Sequence, residues 1–347
     1  MEVRIRNVFE SFSLLFAAAT LASCGGTSTN PSALRQTPAQ TTKLMARPAI
    51  YVANALYDSP SVTSYGRRAN GDTVPLQTIA GSNTGLREPL GIAVDRRGKI
   101  YVANVFGGGS NGYGSILIFA PGANGNVAPV ATIDEGLDYP FGVALDTSGN
   151  IYVANNQGQS VTIYAAKTYK PIGTISGDNT QLYPVGLSFD SDGNLYVANF
   201  DDDGSGPGWI TVYPAGARGD IKPIRQIYGH RTGLTDPGGG IALDSAGNLY
   251  IANNGYPSAQ SILVYSAGAH GDAKPIRTIS GPKTQLAGAD GLALDARSRI
   301  YVTTASPLSG PTSVLVFAPN ADGNVKPVRE IEGAQTGLFA SAGISVR

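Results

Sequence analysis

The sequence is poor in cysteine and histidine, on which many metal and redox sites depend. Its 347 residues include one cysteine, two histidines and one tryptophan. The 25 basic side chains balance the 25 acidic ones, so the chain has no overall field that would hold DNA, RNA or an anionic membrane surface. It contains no Ser-His-Asp order and no phosphate-binding loop. These absences argue against nucleic-acid binding, and no complete catalytic constellation can be identified.

Glycine, proline and tyrosine are abundant instead, with 45, 22 and 17 residues. This composition suits many short strands joined by tight turns and suits long helices poorly. A chain of 347 residues exceeds one ordinary core but fits a single large closed β architecture. The composition therefore predicts an all-β protein and does not require a second domain.

The N-terminus has the features of an export signal. Arg4 and Arg6 precede an apolar run over residues 12–21, which is too short to span a bilayer permanently but long enough for a secretory signal core. The run ends in the letters LASC, which resemble the lipobox of bacterial lipoproteins, where the signal is removed before a lipidated cysteine. Residues 1–23 are therefore predicted to be a lipoprotein signal peptide, with Cys24 as the lipidation site.

The segment after Cys24 has the composition of a flexible tether. Residues 25–47 are rich in Ser, Thr, Gln, Pro and Ala and have almost no apolar periodicity. Because Cys24 is the only cysteine, the exported part keeps no other thiol that could be oxidised or mispaired, as expected outside the cytoplasm. We therefore predict a lipid-anchored protein of the bacterial cell envelope, with residues 24–47 as lipidated cysteine and tether. The alternative is an unmodified buried cysteine.

A tyrosine-containing unit, written GNLYVAN at residues 193–199, recurs along the rest of the chain. Its tyrosines are separated by 50, 51, 44, 54 and 51 residues, and periods near 50 with strand-like content are typical of propeller blades. Each period contains four strand patterns, A to D, which read GIAVD, KIYVAN, SILIF and PVATI in the first complete copy. The A patterns are almost continuously apolar, as expected of strands buried on both faces. The recurring tyrosines are Tyr51, Tyr101, Tyr152, Tyr196, Tyr250 and Tyr301.

The count of the strand patterns predicts how the ring closes. Pattern B occurs six times, whereas pattern A followed by aspartate occurs five times, and the chain ends in GISVR at residues 343–347. This ending supplies the missing sixth A strand, which would join the B, C and D strands near Ala49, Val62 and Leu76. Residues 48–347 are therefore predicted to form a six-bladed β-propeller of four-stranded blades, with both ends of the domain in one blade.

The units GIAVDRRGKIYVAN and GLSFDSDGNLYVAN resemble NHL repeats, and the similarity covers essentially all of residues 48–347. The resemblance implies a six-bladed propeller but no single activity, because the family includes binding modules, sensor domains, lactonases and lyases. Lyases of the family bind zinc through several histidines, which two histidines cannot supply. Lactonase-like members use Glu, Asn and Asp around a divalent ion, and no glutamate of the inner strands matches here. This chain also ends strand B in asparagine where aspartate is common.

Three repeated features have a structural explanation beside a functional one. The motif DSDGN at residues 190–194 resembles part of a calcium loop, but its counterparts predict an A-to-B hairpin turn in which the aspartate binds backbone N–H groups. The asparagines that end strand B either form a polar ring for a ligand or bind backbone groups of the following loop, the role that we favour. Prolines and basic residues at strand D suit an exposed outer edge, with a polyanion-binding stripe as the alternative. The asparagines are Asn54, Asn104, Asn155, Asn199 and Asn253, and the edge residues are Pro75, Pro129, Pro171, Pro223, Pro275, Pro327, Lys222, Lys274, Lys326, Arg225, Arg277 and Arg329.

Function is expected where the blades differ from one another. In propellers of this type the D-to-A and B-to-C connections share one face around the central channel, here called the loop face, and ligands usually bind there. The B-to-C loops vary from NQGQ in one copy to VFGGGSNGYG and FDDDGSGPG in others. Aromatic, acidic and histidine side chains of this face are therefore predicted to form a ligand or partner surface. They are Phe106, Tyr113, Asp201, Asp203, Trp209, His230 and Tyr256.

The acidic loop is a candidate metal site. Asp201, Asp203 and Ser205 place oxygen atoms at alternating positions, which suits Ca²⁺, and Gly206 permits a sharp turn. The remainder of an EF-hand loop, including its closing glutamate, is missing from the sequence. A solvated acidic loop is the alternative to a calcium site.

The two histidines give little support for catalysis. His230 lies beside Arg231 in a D-to-A loop and is the one candidate for a general base, but a single unsupported histidine usually has no catalytic role. His270, in GAHGD, occupies the place of Arg218 in GARGD, on the opposite face, so we interpret it as an interchangeable surface residue.

Two hypotheses about function remain. The preferred one is a monomeric, lipid-tethered propeller that binds an envelope protein, peptide or glycan through its loop face, without catalysis. The alternative is a divalent-metal-dependent lactonase or lyase with its site at the channel mouth. The two differ in whether a divalent ion is held tightly in the channel, and Ca²⁺ at the acidic loop is the only cofactor that the residues suggest.

Overall fold

The computed structural model of the chain describes residues 48–107, 112–200, 207–255, 259–304 and 312–347. These residues form 24 β-strands and two single-turn 3₁₀ helices, so the predicted all-β class is confirmed. In this part of the chain no helix has the length and apolar character needed to cross a bilayer. The predicted signal peptide, Cys24 and the tether lie outside the described residues.

Each blade is a four-stranded antiparallel sheet, and its strands are numbered in chain order. The strands are β1 (Pro48–Asn54), β2 (Ser61–Gly66), β3 (Gln77–Ala80), β4 (Pro89–Val94), β5 (Ile100–Asn104), β6 (Ser115–Phe119), β7 (Ala131–Ile133), β8 (Pro140–Leu145), β9 (Ile151–Asn155), β10 (Ser160–Tyr164), β11 (Pro171–Ile175), β12 (Pro184–Phe189), β13 (Leu195–Asn199), β14 (Trp209–Tyr213), β15 (Arg225–Ile227), β16 (Pro237–Leu243), β17 (Leu249–Gly255), β18 (Ala259–Tyr265), β19 (Arg277–Ser280), β20 (Ala289–Leu294), β21 (Ile300–Thr304), β22 (Ser313–Phe317), β23 (Arg329–Ile331) and β24 (Ser341–Val346). The helical turns are η1 (Ser82–Thr84) and η2 (Pro282–Thr284).

The six sheets form a closed ring. From the channel outward, blade 1 has the order β24-β1-β2-β3, and blades 2 to 6 have the strands β4 to β7, β8 to β11, β12 to β15, β16 to β19 and β20 to β23 in succession. The innermost strands of adjacent blades contact each other all the way round, including β24 with both β4 and β20. The described residues therefore form a six-bladed β-propeller.

Blade 1 contains both ends of the domain. β24 pairs antiparallel with β1, with Ile344 opposite Val52 and Ser345 opposite Tyr51. The predicted closure by the C-terminal strand is confirmed, although this strand begins at Ser341, earlier than the sequence pattern indicates. A ring closed in this way has no open seam between its first and last sheets.

The second and third strands of each blade form most of the core. All residues of β5 and β6 are buried, as are all residues of β9 and β10. Side chains of adjacent blades pack together between the sheets: Tyr101 and Ile116 of blade 2 belong to the same cluster as Val143 and Ile151 of blade 3. Burial against a sheet on either side explains why these strand patterns are almost continuously apolar.

Each innermost strand carries a glycine at its closest approach to the next blade. A Cβ atom on any of these glycines would come under 3.0 Å from backbone atoms of the neighbouring inner strand. No side-chain movement could relieve such a contact, so glycine is required here by the distance between two backbones. The six glycines are Gly91, Gly142, Gly186, Gly240, Gly291 and Gly343.

The A-to-B connections have the geometry that their aspartate and glycine predict. In blade 4, Oδ1 of Asp190 accepts hydrogen bonds from the backbone N–H groups of Asp192 at 3.0 Å and Asn194 at 2.8 Å. Gly193 has a φ of 83°, in the left-handed region that favours glycine. The interpretation of DSDGN as a hairpin turn is therefore confirmed. The same turn is made by Asp95, Asp146, Asp244 and Asp295.

The prediction of exposed outer edges is wrong for five of the six blades in the described structure. The N–H of Gly125, in the C-to-D connection of blade 2, donates to the carbonyl of Thr78 in blade 1 at 2.7 Å, and the N–H of Ala80 donates to the carbonyl of Gly125 at 3.3 Å. The connection of one blade thus pairs with the outer strand of the blade before it. We call this pairing the edge clasp. Its other glycines are Gly71, Gly219, Gly271 and Gly323.

The arginines of the outer strands also join blades or strands. The guanidinium of Arg329 donates to the Tyr301 hydroxyl at 3.1 Å and to the carbonyls of Arg67 and Ala69 in blade 1 at 2.8 and 3.1 Å. Arg225 and Arg277 bind the hydroxyls of Tyr196 and Tyr250 in the same way, at 2.6 and 2.7 Å. The prediction that these arginines lie on an exposed outer edge is therefore wrong. Lys222, Lys274 and Lys326 are exposed, as predicted.

Candidate functional site

The asparagines that end the second strands fix the loop face instead of facing a ligand. Oδ1 of Asn199 accepts the backbone N–H of Tyr183 at 2.9 Å, and its Nδ2 donates to Thr211 Oγ1 at 3.0 Å. The structural role is thus confirmed: the bonds of four asparagines go to the D-to-A connection that enters the blade, and Asn104 also donates to the Phe106 carbonyl in the loop that follows, at 2.8 Å. Equivalent bonds join Asn104 to Arg87, Asn155 to Asp138 and Asn253 to Thr235, while Asn54 binds Ser61, Thr63 and Ser341.

Phe106 and Tyr113, both predicted from loop length, are brought together by a third aromatic residue, Tyr139. The Phe106 and Tyr139 rings meet edge to face, with centroids 5.6 Å apart, and the Tyr113 and Tyr139 rings are 5.8 Å apart. The backbone N–H of Tyr139 also donates to the Tyr113 carbonyl at 3.1 Å. The long B-to-C loop of blade 2 is thereby attached to the connection that enters blade 3. Tyr113 keeps 48% of its surface exposed, so this aromatic group is open to solvent.

Trp209 forms a second aromatic contact on the loop face. Its ring meets that of Tyr183 at 6.1 Å, and its indole N–H donates to the carbonyl of Gln181 at 3.0 Å. Trp209 begins β14 in blade 4, whereas the first aromatic group spans blades 2 and 3. Between them lies the short B-to-C turn of blade 3, residues 156–159. In the order of the blades, the two aromatic groups therefore lie on either side of this short turn.

A cavity of about 690 Å³ opens on the loop face between blades 1 and 2. Its apolar lining includes Leu86 and Phe106, and its polar lining includes Asp58, Arg87 and Glu88. Burial raises the pKa of Glu88 above its ordinary value, and burial likewise raises that of Asp138 in the next D-to-A connection. The cavity thus combines aromatic and aliphatic walls with a few ionisable groups, as small ligand sites do. Its remaining lining residues are Tyr57, Ser59, Pro60, Ala80, Gly81 and Ser82.

Two aspartates that the sequence analysis did not single out lie at the channel mouth. Asp236 directly precedes the inner strand β16, and Asp290 is the second residue of the inner strand β20. Burial, together with the nearby charge of Asp290, raises the pKa of Asp236 to about 6. Burial also raises the pKa of Asp290, although its Oδ1 accepts a long hydrogen bond of 3.4 Å from the N–H of Gly239. The two carboxyls therefore titrate as interacting neighbours.

A comparison of the inner strands would have revealed Asp290. The residue before the glycine of pattern A is apolar or glycine in every other blade, namely Leu90, Phe141, Val185, Gly239 and Ala342. Asp290 is the one acidic residue among the six residues that directly precede these glycines. Gly238 leaves room for it, since a Cβ there would lie 3.1 Å from Asp290 Oδ1.

Asn254, the backbone neighbour of Asp236, has an unsatisfied side-chain oxygen. Its backbone N–H donates to the Asp236 carbonyl at 2.7 Å, and its Oδ1 is buried without a hydrogen-bond partner among the described residues. Within the same described residues, no group of three or more His, Cys, Asp or Glu side chains is placed to hold a metal ion. The donors at the channel mouth therefore fit a divalent ion only in part.

The remaining predicted site residues are not brought into either aromatic group. His230 is exposed in the connection between β15 and β16, and no described residue gives its side chain a hydrogen bond or ion pair. His270 is exposed in the C-to-D connection of blade 5, next to the clasp glycine Gly271, as expected of an interchangeable surface residue. Asp201, Asp203, Ser205 and Tyr256 lie outside the described residues, so the calcium site stays a prediction.

Comparison with known proteins identifies the fold but no family. No family model matches the chain, and no curated protein matches it. A propeller chain in the crystal structure of a nidogen/laminin complex aligns with 85% of this chain and 97% of its own length, with a TM-score of 0.57 and 16% identity. A predicted 6-phosphogluconolactonase from Bacteroides fragilis NCTC 9343 aligns with 90% of this chain and 100% of its own length, with a TM-score of 0.52 and 13% identity.

The WD40 propeller domain of Doa1 aligns with 73% of this chain and 70% of its own length, with a TM-score of 0.50 and 12% identity. Identities this low show that the fold is shared and carry no information about activity. The chain is a β-propeller by both its strand topology and its similarity to these structures.

Proposed function

We propose that this propeller is a non-catalytic binding module that recognises a protein, peptide or glycan of the cell envelope through its loop face. The observation that carries the proposal is the position of Phe106, which lines the cavity between blades 1 and 2 and also packs on Tyr139. Tyr139 in turn contacts the ring of Tyr113, which exposes 48% of its surface. Aromatic side chains of this kind supply large contact areas in binding sites.

The proposal includes a lipid anchor at Cys24 and a location outside the cytoplasm. Its support is the sequence of the N-terminus, in which an apolar run is followed by LASC and by a tether-like segment. The resemblance to NHL repeats is consistent with a binding role, because that family includes many binding modules. A tether would let the loop face reach partners at a distance from the membrane.

Trp209 provides a direct test, because it is the only tryptophan in the chain and lies on the loop face. Titration of the full chain with purified peptidoglycan fragments, envelope oligosaccharides and envelope-derived peptides should change its fluorescence with at least one class of ligand. Phe106→Ala and Tyr113→Ala should then weaken that binding about tenfold each, as removal of central aromatic contacts commonly does.

Ile276→Ala is the matched control, because Ile276 exposes 53% of its surface directly before the outer strand β19, at the end of the blade opposite the loop face. It should leave binding unchanged. If Phe106→Ala and Ile276→Ala have equal effects on every ligand that binds, the loop face is not the recognition surface. The double variant Asp201→Ala with Asp203→Ala tests separately whether binding or thermal stability depends on Ca²⁺.

The alternative function, a divalent-metal-dependent lactonase or lyase, has one observation in its favour. Asp236 and Asp290 bring two interacting carboxyls together at the channel mouth, and Asn254, which is bonded to Asp236 through its backbone, has a buried Oδ1 without a partner among the described residues. The test is thermal unfolding of the full chain with increasing Mg²⁺, Ca²⁺, Mn²⁺ or Zn²⁺. Stabilisation that Asp290→Asn abolishes would favour the enzyme, and a melting temperature unaffected by all four ions would remove this alternative.

A further inference from the structure

One outer strand of the propeller lacks the edge clasp. In the other five blades, a glycine of the next blade donates its N–H to the carbonyl of one outer-strand residue. The carbonyl of the same glycine accepts the N–H of the residue two positions later. The carbonyl acceptors are Thr78, Thr174, Gln226, Thr278 and Glu330, and the N–H donors are Ala80, Ser176, Tyr228, Ser280 and Glu332. In blade 2 the equivalent residues are Thr132 and Asp134, and no described residue pairs with the Thr132 carbonyl or the Asp134 N–H.

The clasp is missing because blade 3 has a short C-to-D connection. Only residues 165–170 separate β10 from β11, whereas residues 214–224 separate the corresponding strands of blade 4. The short connection is closed on itself by hydrogen bonds from the N–H of Ala165 to the Lys170 carbonyl and from the N–H of Tyr169 to the Ala165 carbonyl, both 2.9 Å. It therefore does not extend along β7.

The side chains around β7 agree with an open edge. Thr132 is exposed, whereas its counterparts in the five clasped strands are all partly buried. Each clasped strand is followed by a glycine that makes room for an Asp or Asn of the clasp; a Cβ on Gly81, for example, would lie 2.6 Å from Cγ of Asn126. In blade 2 the same position is Glu135, and its side chain is exposed. Backbone pairing and local sequence thus give the same result independently.

The open edge is apolar at its start and acidic at its end. Val130 exposes 60% of its surface, and Asp134 and Glu135 are both exposed. Residues 127–133 include no basic side chain, unlike the corresponding segments of blades 4, 5 and 6. The complementary partner is therefore an extended segment that carries Lys or Arg. A second copy of the same edge would bring further carboxylates and no basic residue.

We propose that the outer edge of β7 binds an extended, basic peptide segment of a partner protein by β-strand addition. The partner's main chain takes the place of the edge clasp, donating to the Thr132 carbonyl and accepting from the Asp134 N–H. A basic side chain of the partner lies beside Asp134 and Glu135. Asp134 and Glu135 begin the D-to-A connection of blade 2, but this edge contains no member of either aromatic group, so the proposal does not depend on the proposed function.

The first test measures whether the edge is open in the full chain. Amide hydrogen exchange, followed residue by residue by NMR, should be at least about tenfold faster at Asp134 than at the clasped residues Ala80, Ser176 and Ser280. Equal protection at all four amides would overturn the proposal, because it would mean that β7 is already paired.

The second test uses a short blocked peptide of alternating valine and lysine as the probe. It should slow exchange at the Asp134 amide, and a valine–glutamate peptide of equal length should not. Asp134→Lys should weaken binding of the lysine peptide about tenfold, because it reverses the charge beside the edge. The control Asp178→Lys makes the same change beside the clasped strand β11 and should alter binding less than about twofold. Equal losses in the two variants, or no slowing at Asp134, would overturn the proposal.

Two other occupants are distinguished by separate measurements. Self-association of the parent protein that is lost in Asp134→Lys would identify a second copy as the occupant. Faster exchange at Asp134 after deletion of residues 25–47 would identify the chain's own N-terminal segment. Either result would overturn the proposal of a partner protein.

Discussion

Gly142 in β8 lies so close to Val185 in β12 that a Cβ atom on Gly142 would be 2.7 Å from the Val185 carbonyl oxygen. The same relationship recurs between every pair of adjacent inner strands, and β24 takes part in it between β20 and β4. Backbone lies on both sides of each contact, so a rotamer change cannot relieve it. The glycine of pattern A is therefore needed for the blades to meet around the channel.

Alanine at such a position should destabilise the ring. A Cβ on Gly240 would clash with the backbone of Leu292, so Gly240→Ala should lower the free energy of unfolding by about 1–3 kcal/mol or more. Gly239→Ala is the matched control, because its Cβ would lie at an ordinary 3.7 Å from the Val185 carbonyl oxygen. Denaturant unfolding measures both variants. Equal losses would contradict a role for backbone proximity.

Deletion of residues 342–347 should open blade 1. It removes most of β24, which pairs with β1 and packs between β4 and β20. The exposed inner edge should cost several kcal/mol, a large share of a typical stability of about 5–15 kcal/mol. The control is a chain without residues 25–45, the predicted tether, whose melting temperature should match that of the parent. A parental melting temperature in the first variant would exclude a structural role for β24.

Cys24→Ser should release the protein from membranes. The substitution removes the only sulfur that could carry a lipid at the end of the predicted signal. One acyl chain gives reversible membrane binding and two or more give stable anchoring, so the parent should stay with the membrane fraction and the variant should not. Fractionation of expressing bacteria, with metabolic labelling by a fatty acid, measures both. An unlabelled parent, or a variant that remains with membranes, would refute the lipoprotein assignment.

The architecture could be predicted because the repeated sequence pattern reflects contacts that are made inside one blade. Asp190 forms the same turn as its four counterparts, so the copies of the repeat could be interpreted together, and the unmatched C-terminal pattern predicted the closure. The edge clasp could not be predicted in this way. The bond between Gly125 and Thr78 joins two blades, and a short Gly-Asn motif resembles an ordinary turn whose partner the sequence does not specify.

The candidate site was only partly predictable for a similar reason. Phe106 and Tyr113 stood out because their loop is long, but Tyr139 lies in the shortest D-to-A connection, residues 134–139, and joins them only in the folded ring. Asp236 and Asp290 come from different blades, and neither belongs to a recognisable motif. Their proximity follows from the packing of two inner strands, which local patterns do not encode.

Two aspartates of blade 5 have pKa values displaced in opposite directions. Burial, with a contribution from the charge of Asp290, raises the pKa of Asp236 to about 6. Burial also acts to raise the pKa of Asp244, but hydrogen bonds from Asn248, a neighbouring backbone N–H and Tyr250 outweigh it and hold that pKa below its ordinary value. The two carboxyls should therefore affect stability with opposite dependence on pH.

Asp236→Asn should stabilise the protein at neutral pH. Because the folded pKa is raised, the native state binds more protons than the unfolded chain between about pH 4 and pH 6, so the parent loses stability as pH rises through that window. The amide does not ionise, and the variant should gain up to about 2–3 kcal/mol at about pH 7 and almost nothing at about pH 3. Asp244→Asn is the matched control: its folded pKa is lowered, so the variant should be less stable than the parent at neutral pH, and the difference should shrink as pH falls. Denaturant unfolding across this range measures both differences. An Asp236→Asn effect that stays constant with pH would mean that ionisation of Asp236 carries no cost in the folded protein.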